Sequence, residues 1–206
     1  SGAHTVFWLV VGGNAIGLML LLRVRKPERA ESDASDEKSS FISEFIEGLR
    51  YARDTPPILW LTILVIAQNL FGVAIFALMP VYAQDVLDIG PAGFGLMGGV
   101  MGAGMMVGAV YVSLWGIHRR HAYVMIIMGS FWDVGMLVFG YSRSVPISLA
   151  ALFVMGLITM PWVTAVLTMF QQAATGKIRG RVMSLYVLAM GVFPLGWLFG
   201  GAVAEW

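Results

Sequence analysis

PILWLTILVIAQNLFGVAIFALMPVYA, residues Pro57 to Ala83, is 27 residues long and carries no charged side chain. A bilayer core about 30 Å thick needs about 20 apolar residues in a helix, so this stretch is long enough to cross it. Backbone amides in hydrocarbon must pair within the segment, which predicts a helix. Five further stretches read the same way: Thr5–Leu22, Ala92–Trp115, Ala122–Tyr141, Ile147–Gln171 and Val182–Ala204. Together the six hold one ionisable side chain, Asp133. None shows the alternation of apolar and polar residues that a membrane β-barrel needs. The predicted fold class is all-α, a polytopic membrane helix bundle with six transmembrane helices.

The whole chain has the composition of such a bundle. Hydrophobic residues make up 58% of its 206 residues and charged ones 12%, with mean hydropathy +0.80. Soluble domains carry about twice that share of charge. There is no Cys, which excludes a disulfide-stapled scaffold and Cys-ligated metal sites. A net charge of +1 with no basic stripe excludes a nucleic-acid partner. No cofactor or metal is implied.

Cations set the orientation. Twelve of the thirteen Lys and Arg lie in 23–56, 116–121 and 172–181, all on one side if the spans alternate. Arg143 alone lies on the other side. Positive-inside logic places the twelve in the cytoplasm of a multi-pass plasma (inner) membrane protein. Both chain ends then lie outside, and the first span is no signal peptide because its basic cluster follows it. The expectation is a fragment of a longer protein, with at least one helix upstream.

The connections differ in character. Residues 27–40 are charged and polar, a disordered linker by composition. In 41–54, Ile42, Phe45, Ile46, Leu49 and Ala52 share one helical face, with Glu44, Glu47, Arg50 and Asp54 away from it. That predicts an amphipathic helix on the cytoplasmic leaflet, with a helix packed on cytosolic loops as the alternative. Ser39 or Ser40 caps its start, and Pro56–Pro57 stops it.

Polar groups inside the spans nominate the site. Asp133 is costly at mid-bilayer and should face the bundle interior, protonated or paired. It is either a proton carrier or a packing residue hydrogen-bonded to Ser130. Gln68 and Asn69 sit together near the middle of span two, as a polar patch on a substrate cavity or as interhelical hydrogen bonds. Asn14 in span one reads as the latter. Pro161 and Pro194 break hydrogen bonding near the middle of spans five and six. Thr159, Trp162 and Thr164 stand beside Pro161, where a kink with free carbonyls would suit a transport path. Gly95/Gly99, Gly98/Gly102, Gly104/Gly108 and Gly196/Gly200 have the spacing that lets helix backbones approach closely. Trp8, Trp60, Trp115 and Trp206, with Tyr82, Tyr123 and Tyr141, form interfacial belts. The 14 Met line an adaptable pocket or fill the packing.

Near matches to soluble-enzyme motifs fail. Gly93–Gly98 fits GxGxxG but enters a span and follows no strand. Gly140–Ser144 lacks the last Gly of a nucleophile elbow, and Gly176-Lys177 is followed by Ile178 rather than Ser or Thr. No catalytic pair is present, and an enzyme is not expected.

Four stretches carry a family resemblance. FWLVVGGNAIGLMLLLRVR (Phe7–Arg25), EGLRYARDTPPILWL (Glu47–Leu61), LMPVYAQDVLDIGPAGFGLMGG (Leu78–Gly99) and RGRVMSLY (Arg179–Tyr186) resemble a major facilitator superfamily transporter of the enterobactin-exporter and drug-efflux branch. The spans would be helices six to eleven of twelve. The resemblance implies residues 1–22 as the last helix of an N-terminal bundle, 23–56 as the central cytoplasmic loop, and 57–206 as five of the six helices of a C-terminal bundle. It implies alternating access, protons as coupling ion, and a small amphipathic substrate such as a drug or siderophore-like molecule. The cavity would be lined partly from helices seven and ten, which carry Gln68, Asn69, Thr159 and Trp162. Asp133 falls on helix nine, usually peripheral. The basic loop Gly116–Arg120, with Arg119 and Arg120, resembles the loop after helix eight without its Asp. Arg179 and Arg181 would anchor or gate the cytoplasmic end. An uptake permease of the same fold and a non-transporting membrane scaffold or sensor are the alternatives.

Overall fold

The computed structural model describes residues 49–117, 121–173 and 179–204. Every long element among them is helical: α1 (Pro56–Phe71), α2 (Ala74–Val81), a π-helical turn (Tyr82–Val86), α3 (Gly90–Trp115), α4 (His121–Tyr141), α5 (Val145–Ala173), α6 (Arg179–Gly191) and α7 (Phe193–Ala204). Five stretches of described residues are long and apolar enough to cross a membrane: Pro56–Val86, Gly90–Trp115, His121–Tyr141, Val145–Ala173 and Val182–Ala202. They coincide with spans two to six. Span one, the 27–40 linker and most of the amphipathic helix lie outside the described residues.

Spans three, four and five are single helices. Span three stops at Gly116, whose φ of 64° suits glycine and whose N–H bonds the Val112 carbonyl. Spans two and six are each two helices, and for span two this corrects the expected single rod. The helix ends at Phe71 and restarts at Ala74. The close approach of α7 accounts for the site of the break. A Cβ on Gly196 would collide with the Asn69 and Leu70 carbonyl oxygens and with Val73, so α7 lies against the bare backbone there. Gly72 keeps helical dihedrals (φ −69°, ψ −23°), and a Cβ on it would collide with the carbonyl and side-chain amide of Gln68. The Gly72 carbonyl leaves the ladder and accepts a hydrogen bond from Trp132 Nε1 at 3.1 Å. Pro80 lies inside α2, and the π turn follows it, with Leu87 N–H bonding the Tyr82 carbonyl.

The two prolines singled out in the sequence behave differently. Span six breaks at Val192, and Pro194 falls in the first turn of α7, where the missing N–H costs nothing. Pro161 does not break span five: α5 runs unbroken from Val145 to Ala173. Proline in mid-helix leaves the carbonyl four residues back, that of Leu157, without its usual donor. That carbonyl is pressed against Gly108 of α3, where a Cβ would overlap it. Gly104 meets the Phe153 carbonyl and Gly156 meets that of Met101 in the same way. Backbone-to-backbone contact with Cα–H donors at glycine takes the place of the lost bond. Of the other spaced glycines, Gly95, Gly98, Gly99 and Gly102 have nothing within 4 Å of a would-be Cβ.

The core forms two clusters. One gathers Ile58, Leu61, Val65, Phe170, Val182 and Leu185 around the start of α1 and the end of α5. The other gathers Ile75, Met79, Met97, Leu152, Met155 and Trp132. Ala52, in a helical turn over 49–54, is buried in the first cluster, whereas Leu49 is exposed. At the other end Tyr82 Oη lies 2.7 Å from the Gly140 carbonyl and 2.8 Å from that of Ser142, so spans two and four end on the same side. That is the alternation the cation pattern requires. Trp60, Leu114 and Leu198, about two-thirds exposed, belong to an apolar outer surface of the kind lipid covers. Trp60, Trp115, Tyr123 and Tyr141 are exposed near span ends, as an interfacial belt predicts.

Candidate functional site

Gln68 and Asn69 occupy the last turn of α1, immediately before the break at Gly72. Thr159 and Trp162 stand on α5, on either side of Pro161. The structure brings all four to one cavity of about 250 Å³. Its wall is completed by Phe76, Trp132 and Phe193, by Met105, Met128 and Met190, by Val73, Ile158 and Val163, and by the bare backbone of Gly72 and Gly129. Residues from both core clusters border it, which sets it between them.

The polar groups differ in what they have left to offer. Asn69 is 7% exposed and spends one amide hydrogen on the Val65 carbonyl at 2.9 Å. The Thr159 hydroxyl donates to the Met155 carbonyl at 2.8 Å. Both keep an acceptor oxygen. Trp162 Nε1 is buried and has no hydrogen-bond partner among the described residues. A buried donor without a partner costs about 1–3 kcal/mol until something pairs with it. Among the described residues no acid or base lines the cavity. Aromatic rings dominate the wall: Phe76 lies 6.5 Å from Trp132 and 6.2 Å from Phe193, centroid to centroid. Such a chamber suits a flat, largely apolar molecule with a few polar atoms.

Asp133 is elsewhere, which corrects the expectation that it faces the bundle interior. It is exposed and lines a depression of about 320 Å³ between α1 and α4, together with Ser130, Gln68, Leu64 and Phe71. The inward stripe of α4 is Met125, Gly129, Trp132, Gly135 and Phe139. At about 100° per residue, Asp133 sits about 80° round from Met125, at the stripe's edge. No Asp133–Ser130 hydrogen bond is formed. Gln68, Gly72 and Gly129 line both the depression and the cavity, so they are the wall between them. Thr164 does not line the cavity; its carbonyl accepts from Thr168 Oγ1. Arg119 and Arg120 lie outside the described residues. Arg179 and Arg181 begin α6, and their side chains are likewise not described.

Sequence reasoning missed Phe76, Gly129 and Trp132. One signal was available. An indole far from a span end has an N–H that no headgroup can satisfy. Trp132 and Trp162 are both of that kind. The methionines divide between the two readings: Met105, Met128 and Met190 line the cavity, while Met97, Met101 and Met155 fill the core.

A family model described as Major Facilitator Superfamily matches residues 1–201. The multidrug efflux pump Tap of Mycolicibacterium fortuitum is 23% identical over 206 residues. That alignment covers 99% of this chain and 50% of the relative, so the chain spans about half the length of the curated relative it matches. No solved structure gives a significant match.

Proposed function

Because the chain belongs to the major facilitator superfamily, we propose that it is the central and C-terminal part of a secondary transporter that expels a small amphipathic organic molecule by alternating access. The carrying observation is the cavity of about 250 Å³ that collects Gln68, Asn69, Thr159 and Trp162 at the broken middle of span two. Backbone irregularity within a membrane is tolerated where protein or a water-filled path surrounds it. Outward direction is supported by the efflux pump among its relatives.

Residues 1–22 close an N-terminal bundle, 23–56 form the loop between the halves, and 57–206 supply one wall of the transport path. Protons are the coupling ion in this reading. Asp133 is the candidate carrier, since its depression shares the wall of Gln68, Gly72 and Gly129 with the cavity. Arg119, Arg120, Arg179 and Arg181 anchor or gate the cytoplasmic end. Replacing Gln68 and Asn69 together by Ala in the full-length transporter, with normal membrane insertion, should abolish drug export from energised vesicles. Unchanged export would remove both residues from the path. Substrate-driven proton flow into such vesicles, or out of them, separates efflux from uptake. No proton flow with any substrate would favour a scaffold or sensor.

A further inference from the structure

Gly129 stands where the polar groups of the cavity converge. A Cβ built on it would lie 3.6 Å from Trp162 Nε1 and 3.9 Å from Gln68 Oε1. Those are ordinary contact distances, so the space beside Gly129 is open where any other residue would place its side chain. One of its two polar neighbours is a buried N–H with no partner among the described residues. The other is an amide that presents an acceptor. The rest of the described wall is uncharged, and its other polar side chains, Asn69 and Thr159, already spend a donor on their own helices.

We infer that the missing side chain of Gly129 leaves a polar notch in the cavity wall, and that this notch seats a hydroxyl of the transported molecule. The hydroxyl oxygen accepts from Trp162 Nε1 and its proton goes to Gln68 Oε1. A hydroxyl is the small neutral group that answers a donor and an acceptor beside one point. A carboxylate would face the Gln68 oxygen with no proton to give, and an ammonium would face the indole N–H with no lone pair. The aromatic wall then takes the remainder of the molecule, a flat ring system. Gly129 and Trp162 are therefore specificity-determining residues: they select among apolar molecules rather than supplying the bulk of the affinity.

This inference rests on the reading of the cavity as the substrate site, and the test separates the two. The purified full-length transporter is titrated with 2-naphthol and 2-methylnaphthalene, two rings of one shape that differ in a hydroxyl and a methyl. The unaltered protein should prefer 2-naphthol by about tenfold, because a site with an unpaired donor discriminates against the analogue that cannot pair. Trp162→Phe removes the donor and Gly129→Ala fills the notch. Each should bring the preference below about twofold. A preference that survives both changes, or is absent from the unaltered protein, overturns the inference. Met105→Trp and Val163→Trp fill the chamber itself and should weaken both probes together. If neither filling affects either probe, the cavity reading falls and the notch with it. If the fillings act while Trp162→Phe and Gly129→Ala leave the preference intact, the notch alone is wrong.

Discussion

Along the α3–α5 seam, Gly104, Gly108 and Gly156 bring the two helices together until glycine on one touches carbonyl oxygen on the other. Around the cavity spans two and six are interrupted: Gly196 still meets the Asn69 and Leu70 carbonyl oxygens, but large side chains from α2, α4 and α7 surround the chamber. Both regions contain a proline and several glycines, so composition does not distinguish them. What differs is where the freed backbone group goes. The Leu157 carbonyl, left over by Pro161, is covered by Gly108 and the helix continues. The Gly72 carbonyl is drawn out by an indole across the bundle, and the helix there is broken. In both places a group outside the helix takes what is released, a glycine backbone at the seam and an indole N–H at the break.

Four substitutions test this contrast, and the seam should be the more sensitive side. Gly108→Val drives a branched side chain into the Leu157 backbone, which cannot swing aside as a rotamer would. The expected cost is on the order of 3 kcal/mol or more, seen as loss of the monodisperse species on mild heating in detergent. Normal melting would show that the helices are not in backbone contact. Trp132→Phe keeps most of the ring and removes the N–H. The Gly72 carbonyl is then orphaned, and stability should fall by about 1–2 kcal/mol in the same assay. No loss would mean that the break does not depend on this bond. Tyr82→Phe severs the tie between the π turn and the carbonyls of Gly140 and Ser142. A loss of about 0.5–1 kcal/mol is expected, with faster amide exchange at the ends of spans two and four. At the small end, Gly140→Ala meets open space. It should be neutral or stabilise by about 0.5 kcal/mol, since Ala is the better helix former. A marked loss there would show that glycine is costly to replace throughout the bundle and not only at the seam.

Spans two to six were legible because charge is so expensive in lipid that one acid among them nearly draws the boundaries. The cation tally carried the alternation, since it depends on counting and not on packing. That Gln68, Asn69, Thr159 and Trp162 line one cavity was legible for the same reason: polar atoms in hydrocarbon need a use. The break in span two was not, because nothing in GVAIF (Gly72–Phe76) says that Gly196 will press on it from a segment 120 residues later. Asp133 was placed inward by its cost alone, but the helix face it occupies is set by Met125, Gly129 and Trp132, whose stripe claims the interior first. Pro161 was read by its own chemistry, without Gly108, its neighbour across the seam.

The two interruptions lie side by side, and the half-length rods beyond them are joined ring to ring. Phe76 of α2 touches both Phe193 and Trp197 of α7, at 6.2 and 6.3 Å between centroids. Neither α2 nor α7 is held to its parent rod by a continuous ladder. Each half-length rod therefore meets its parent at a joint, whereas α3 and α5 run unbroken and are clasped along their seam. Phe76 and Phe193, one from each half-length rod, both line the chamber.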